Sequence, residues 1–365
     1  MKKNLIVGCG ITGIVLANRI ANELQQEVII IDKRCHIGGN CYDYLKNGIY
    51  IHKYGAHIFH TNSELVWKYL SQFTDWQVYM HKVKALIDGI EIPIPFNLNS
   101  LKMVFPKTIS NVIEKKLIDT FGFNEKVSIL NLLKTKDSDL KFLADYVYNK
   151  VFLGYTLKQW GIKPEDLDNS VTDRVPIYIS NDDRYFQDKF QGIPINGYTN
   201  MFKKMLRNKL IKVKLNTDFK KMKDINEFNK IYFTGSIDEF FNYKYGKLPY
   251  RSLRFENKLF NQDFYQSNAV INYPENYNFT RIIEHKYFSN KLTKNTFVTF
   301  EYPTEYLEGE NEKYYPIINE KNIELFNKYL KESEQEKNTV FIGRLGEYKY
   351  YNMDIIVEKV LNVKI

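Results

Sequence analysis

The chain has 365 residues, more than one ordinary core accommodates, which points to two or three cooperating domains. Its 44% hydrophobic and 26% charged residues are those of a globular protein, and no apolar run approaches the roughly 18 residues that a membrane-spanning helix needs. The net charge of +9 suggests an anionic partner, and because the lysines are scattered, phosphate-bearing small molecules fit better than nucleic acid, although a basic solvated surface alone accounts for most of the lysines.

In chain order, Leu5-Ile6-Val7 is a short apolar run that reads as a buried parallel strand ending at Gly8. Gly8-x-Gly10-x-x-Gly13 follows and opens a helix with an apolar stripe from Ile14 to Ala21. Val28 to Ile31 is a second strand, closed by Asp32. Each part has a physical role. Gly8 permits the turn, Gly10 lets backbone approach a pyrophosphate, and Gly13 lets the helix pack close to the sheet. The helix N-terminus offers free N–H groups to the diphosphate, and Asp32 offers its carboxylate to the ribose hydroxyls. Met1-Lys2-Lys3 leads straight into this unit, so no signal peptide and a cytoplasmic location are expected.

The flank after Asp32 selects between dinucleotides. His36-Ile37-Gly38-Gly39-Asn40 resembles the Gly-Gly extension of the FAD-binding superfamily that includes glutathione reductase and the amine oxidases. Cys41 stands where disulfide reductases of that superfamily have a redox pair, but no partner follows closely. A second GxGxxG is also missing, so a separate NAD(P)H domain is not expected. With Cys9 and Cys35, the cysteines number three and form no CxxC, which supports neither zinc nor a disulfide framework.

Further on, Tyr50, His52 and Tyr54 alternate as in a strand that Gly55 breaks. His57 and His60 lie beyond it, without the carboxylate or thiol partners a metal would need. Pro93, Pro95 and Pro106 mark a boundary, and apolar residues from Ile109 to Val147 recur at helical spacing over 107–167. Residues 170–300 are rich in β-branched and aromatic runs with turns such as Asn196-Gly197, which predicts an antiparallel sheet. Ile231 to Gly235 and Val340 to Arg344 read as strands returning to the first domain, and a last helix starts near residue 352. The expected fold is α/β (α+β overall): a Rossmann-like FAD-binding domain with an inserted helical subdomain and an antiparallel β-sheet substrate domain. The expected domains are 1–90 with about 200–240 and 330–365, then 100–167, then 170–199 with 241–329.

Over essentially its whole length the chain resembles the bacterial UDP-galactopyranose mutase family. The resemblance is carried by the glycine fingerprint, HIGGN at 36–40, IHKYGAHIFHTN at 51–62, GYTLKQWG at 154–161 and QGIPINGYT at 191–199. It continues through YRSLRFE at 250–256, TRIIEHK at 280–286, EYP at 301–303, YYP at 314–316 and GRLGEYKYY at 343–351. It implies a cofactor, FAD, that is active when reduced, and a UDP-sugar substrate whose pyranose and furanose forms interconvert without net redox. In the family, the flavin N5 attacks the anomeric carbon and displaces UDP; the adduct opens to an iminium, recloses through the other hydroxyl, and UDP returns. A homodimer is also expected.

The resemblance assigns roles residue by residue. Arg174, Arg281, His57 and Tyr350 are the expected catalytic residues, with the arginines on the departing diphosphate, where a guanidinium fork suits phosphate. Gly8, Gly10, Thr12, Gly13, Asp32, Lys33, Gly39, Asn40, His57, Ile58 and Arg344 are expected to hold the cofactor, with Tyr351, Asn352, Met353 and Asp354 at the start of the last helix. The nucleotide sugar is expected on His81, Phe152, Tyr155, Thr156, Trp160, Arg174, Tyr185, Asn272, Arg281, Tyr315 and Tyr350, with Trp160 at the uracil. A segment after Asn169 is expected to close over the nucleotide.

The chain departs from the family where Asn352 replaces an Asp, His81 replaces an Asn and Asp32 replaces the commoner Glu. The first two leave the sugar open, for example to a UDP-N-acetylhexosamine. Two rival readings share the first 40 residues: an amine-oxidase-type flavoenzyme, and an FAD-dependent binding protein with a decayed site. The first gives no reason for the Arg, Tyr and Trp set, and the only sequence hint of the second is Asn352.

Overall fold

The computed structural model describes residues 3–167, 175–223, 225–289 and 293–365. By their contacts these fall into two compact units: Met1–Tyr79, Asp188–Pro249 and Glu320–Ile365 in the first, Met80–Gln187 and Tyr250–Asn319 in the second.

The first unit is built on a five-stranded parallel sheet. Its strands run in the order Ile211–Lys214, Glu27–Ile31, Lys3–Val7, Lys230–Phe233 and Thr339–Phe341. Leu5, Ile6, Val28, Ile30 and Ile31 are almost wholly buried, which is why these strands read as unbroken apolar runs rather than alternating ones. The fingerprint helix Ile11–Glu23 packs on the sheet and on the last helix, Met353–Asn362. Its Arg19 donates to the carbonyls of Val360 and Val363, satisfying acceptors that the last helix leaves open at its C-terminal end.

Two smaller pieces complete this unit. Asp43–Lys46 and Ile49–His52 form a hairpin, and Phe59–Thr61, Phe190–Pro194 and Trp76–Val78 form an antiparallel sheet. The hairpin strand stops at His52, so Tyr54, expected in it, lies in the following turn. Asn196-Gly197 joins a strand to the helix Tyr198–Met205 rather than turning a hairpin. Asp43 explains that helix start: its two carboxylate oxygens accept from the N–H groups of Tyr198 and Thr199 at 2.7 and 2.8 Å.

The second unit carries a seven-stranded sheet in the order Tyr315–Pro316, Tyr250–Phe260, Thr296–Glu305, Arg281–Glu284, Val270–Asn272, Val83–Ile87 and Ile90–Ile94. All its pairings are antiparallel except that of Val270–Asn272 with Val83–Ile87. The helices Leu98–Val104, Lys107–Phe121 and Ser138–Val147 belong to this unit, with a π-helical turn at Tyr148–Leu153 leading into Gly154–Trp160. Lys126–Val127 interrupts the expected helical stretch by pairing with Ile177–Tyr178.

The boundaries differ from those expected. The chain leaves the first unit at 79 rather than near 90, because Val83–Ile87 and Ile90–Ile94 extend the second unit's sheet. It returns at 188 rather than 200, because Phe190–Pro194 pairs with two strands of the first unit. Residues 241–249 and 320–329 also belong to the first unit.

Candidate functional site

In the first unit, glycines bring backbone against backbone. A Cβ on Gly13 would lie 2.0 Å from the carbonyl oxygen of Gly8, so only glycine lets the helix start this close to the strand end. Gly8 itself has φ +107 and faces Thr234, whose Oγ1 would be 2.0 Å from an added Cβ. The Gly-Gly pair is no loose turn: Gly38 N–H donates to Cys9 O at 2.8 Å, and a Cβ on Gly39 would be 2.9 Å from Gly10 Cα. The helix Ile11–Glu23 has Gly10 at its N-cap, with no side-chain cap and no acid in its first turn. Its leading N–H groups and positive dipole end are therefore suited to a diphosphate.

Asp32 orders this loop. Its oxygens accept from Cys9 N–H at 2.8 Å and Arg34 N–H at 2.9 Å, and each retains a lone pair for a ribose hydroxyl. Asn40 Oδ1 accepts two bonds from the Arg34 guanidinium, both at 3.0 Å, while Lys33 is exposed. Thr12 packs against Gly343, whose φ is +99. Arg344 lies 4.7 Å over the Tyr350 ring and donates to Tyr351 O at 2.8 Å. Asn352 is the N-cap residue of Met353–Asn362, but its side chain does not cap that helix. Asp354 lies in the first turn, where burial raises its carboxyl above the ordinary range against the backbone N–H of Ile355.

The histidines are fixed by local bonds. His57 Nδ1 meets Gly55 O at 2.9 Å, and His57 N–H donates to His52 Nδ1 at 3.0 Å. His52 is 2% exposed, and burial pushes its pKa down to about 4. Ile58, next along, is buried. His60 pairs with Asp188 at 2.9 Å. Burial pushes the Cys9 and Cys41 thiols up to about 12, so neither is a thiolate at neutral pH. Among the described residues no cluster of His, Cys, Asp and Glu is placed to hold a metal.

In the second unit, sheet register lines up the chemistry. Asn272 stands opposite Arg281, and Arg281 opposite Glu301, so three polar side chains share one face across three strands. Glu301 is 0% exposed and pairs with Arg281 Nε at 2.9 Å, while Arg281 keeps 26% of its side chain accessible. Burial works against the Arg281 charge, but Glu301, with Tyr155 and Tyr315, outweighs it and raises the guanidinium further above its ordinary value. Asn272 Oδ1 is buried with no hydrogen-bond partner among the described residues. Such an acceptor is costly unless a ligand supplies a donor.

Trp160 and Tyr315 rings lie 5.4 Å apart, and Thr156 and Phe152 are buried on the segment that carries Tyr155 and Trp160. His81 and Tyr185 form another group in this unit: Tyr185 N–H donates to His81 O at 2.7 Å, and their rings are 5.8 Å apart. The structure thus brings Tyr155, Arg281 and Tyr315 together, and places Tyr350 with Arg344 in the first unit. Arg174 and the segment after Asn169 lie outside the described residues.

Comparison with known proteins resolves the class. Residues 150–350 match the family model described as UDP-galactopyranose mutase, and residues 6–73 match an NAD(P)-binding Rossmann-like domain. A Klebsiella pneumoniae protein named "Probable UDP-galactopyranose mutase" is 38% identical, over 99% of this chain and 93% of its own. The chain belongs to the UDP-galactopyranose mutase family. The Mycoplasma genitalium UDP-galactopyranose mutase is also 38% identical, over 96% of this chain and 91% of that one. An Escherichia coli protein named "dTDP-fucopyranose mutase" is 35% identical, over 99% of this chain and 97% of its own. A crystal structure of reduced UDP-galactopyranose mutase shares the fold, with a TM-score of 0.75 at 15% identity over 99% of this chain and 92% of that one.

Sequence reading gave no role to Glu301, although it lies in the quoted EYP segment. Its signal is faint, because an acid opposite an arginine across two strands is visible only once their register is known. Lys158 and Arg251, also in quoted segments, are silent for a different reason: their partners are backbone carbonyls, which carry no sequence signature.

Proposed function

We propose that this member of the family interconverts the pyranose and furanose forms of UDP-galactose, with FAD, in its reduced state, as cofactor. The observation that carries the reading is the Arg281–Glu301 pair beside Tyr155 and Tyr315, in a chain that matches the family along its whole length. The first unit's glycine cradle fits the pyrophosphate of FAD, with the N-terminus of Ile11–Glu23 on the phosphates and Asp32 on the ribose. His57, Ile58, Arg344 and the first residues of Met353–Asn362 take the flavin end. Held there, reduced flavin would supply an electron-rich nitrogen to the chemistry at the anomeric carbon, with no net redox change.

The chain's own work is to bind, orient and manage charge. When the bond between sugar and UDP breaks, negative charge grows on the diphosphate. Arg281 is already charged and already oriented by Glu301, so it meets that charge without reorganising. Arg174 supplies the second cation in this reading. Tyr155 and Tyr315 donate hydroxyls to phosphate oxygens without burying another full charge. Trp160 stacks on the base, and the buried Asn272 oxygen accepts from the nucleotide. A homodimer in the cytoplasm completes the proposal.

A second substrate has support of its own, because the dTDP-fucopyranose mutase relative is nearly as similar as the UDP-galactopyranose mutases. One experiment separates the substrates. Protein reduced with dithionite is incubated with UDP-galactose, UDP-N-acetylgalactosamine and dTDP-fucose, and the products are resolved chromatographically. Furanose product from UDP-galactose in excess over the other two is expected. Turnover confined to dTDP-fucose moves the substrate, and product that tracks oxygen consumption instead of the amount of reduced enzyme returns the chain to the oxidases.

A further inference from the structure

The helix Gly154–Trp160 carries Tyr155, Thr156 and Trp160, and the strands Val270–Asn272 and Arg281–Glu284 begin and end a loop between Asn272 and Arg281. The helix and the two strands bear Tyr155, Thr156, Trp160, Asn272 and Arg281, half of the second unit's proposed nucleotide residues. They are far apart in sequence, and one side chain spans them. Lys158 Nζ donates to four backbone carbonyls of that loop: Tyr273, at a short contact, Glu275 at 2.9 Å, Tyr277 at 3.1 Å and Phe279 at 3.3 Å. An ammonium has three protons, so the four acceptors share them around a point charge. A guanidinium, planar and wide, does not match converging acceptors in this way.

Two further contacts fix the helix. A Cβ on Gly154 would be 2.3 Å from Pro274 O, so the first turn lies directly on the loop backbone. Arg251 donates from Nε to Gln159 O at 3.1 Å and from Nη2 to Lys158 O at 3.2 Å, holding the helix at its other end. Burial pushes the Lys158 ammonium down to about 8, so it still carries its charge near neutral pH.

We infer that Lys158 is a positioning residue for nucleotide binding: its ammonium gathers the 273–279 carbonyls and so sets Asn272 and Arg281 against Tyr155 and Trp160. It acts through those residues and does not touch the substrate. This rests on the nucleotide reading of the second unit given above.

The test measures UDP binding by calorimetry on FAD-loaded wild type, Lys158→Ala and Lys158→Arg, with flavin content recorded for each. Lys158→Ala is expected to weaken UDP at least tenfold with flavin content unchanged, and Lys158→Arg to fall between it and wild type. Ethylammonium should restore at least threefold of the Lys158→Ala loss, whereas sodium chloride at equal ionic strength restores none. Wild type should respond to neither. Affinity within twofold of wild type in Lys158→Ala overturns the inference, and so does a loss that ethylammonium and sodium chloride affect alike. Failure of both variants to fold makes the carbonyl crown a folding element and also overturns it. Wild type that binds no UDP sinks the nucleotide reading itself and the inference with it, whereas failure in the variants alone leaves that reading standing.

Discussion

The two units offer different material for the proposed sites. In the first, the candidate groups are mostly backbone: glycines at 8, 10, 13, 38 and 39, the open end of a helix, and one carboxylate that orders the loop. In the second they are side chains from separate strands and a helix, aligned by register, with a buried acid beneath an arginine. A backbone site tolerates changes in most side chains but not an added Cβ, whereas a side-chain site depends on each partner. Substitutions in the two units should therefore fail in different ways.

The largest effect is expected from Gly13→Val. The added atoms would start 2.0 Å from Gly8 O, inside a strand-to-helix junction that cannot widen without moving the sheet. A loss of about 3 kcal/mol or more is expected, on the scale of severe overpacking. Denaturation of the purified protein and its flavin content should show this together. A variant that keeps both would mean that the close approach is not required.

Arg281→Ala comes next, and it separates the units. Turnover should fall by about 10²–10³, the scale for removing one preorganised donor, while FAD stays bound. Protein isolated without flavin would break the assignment of Arg281 to the nucleotide. The same change leaves Glu301 buried without its cation, so a moderate loss of stability should accompany it.

His52 gives the first unit a pH signature. Its folded pKa, about 4, lies below the ordinary 6.5 because burial disfavours the charged ring. The unfolded chain therefore binds more protons between these values. Stability from this residue is present above pH 6.5 and is lost as pH falls toward 4, on the order of 2–3 kcal/mol. Chemical denaturation across that window should show the decline, and His52→Asn should flatten it. An unchanged slope in the variant would assign the decline to other groups.

The smallest effect is expected from Asp32→Asn. The amide keeps one acceptor oxygen for a loop N–H but loses the charge-assisted bonds at 2.8 and 2.9 Å. FAD affinity should drop about tenfold, since hydrogen bonds to charged groups contribute about 1.5–3 kcal/mol. Flavin titration checks this, and UDP binding should not change.

Much of the first unit was legible from residue order because its rules are local. The apolar runs at Leu5–Val7 and Val28–Ile31, the glycine spacing and Asp32 all lie within one strand-helix-strand stretch. The strands at Ile231 and Thr339 could be recognised as returning segments, but their places beside Lys3–Val7 follow only from pairing. The unit boundaries were less legible: prolines at 93, 95 and 106 suggested a break that the packing of the chain puts at 79.

Composition and motif spacing by themselves determined that this chain carries a Rossmann-like dinucleotide-binding fingerprint on a parallel α/β scaffold, because the groups involved are neighbours in sequence. Tertiary structure alone decided that Glu301 lies beneath Arg281, that Asn272 shares their face, and that Lys158 collects the carbonyls of a loop more than a hundred residues away. The physical reason is that register and packing bring these groups within bonding distance, and a cation held by backbone carbonyls leaves no pattern of residue types to read.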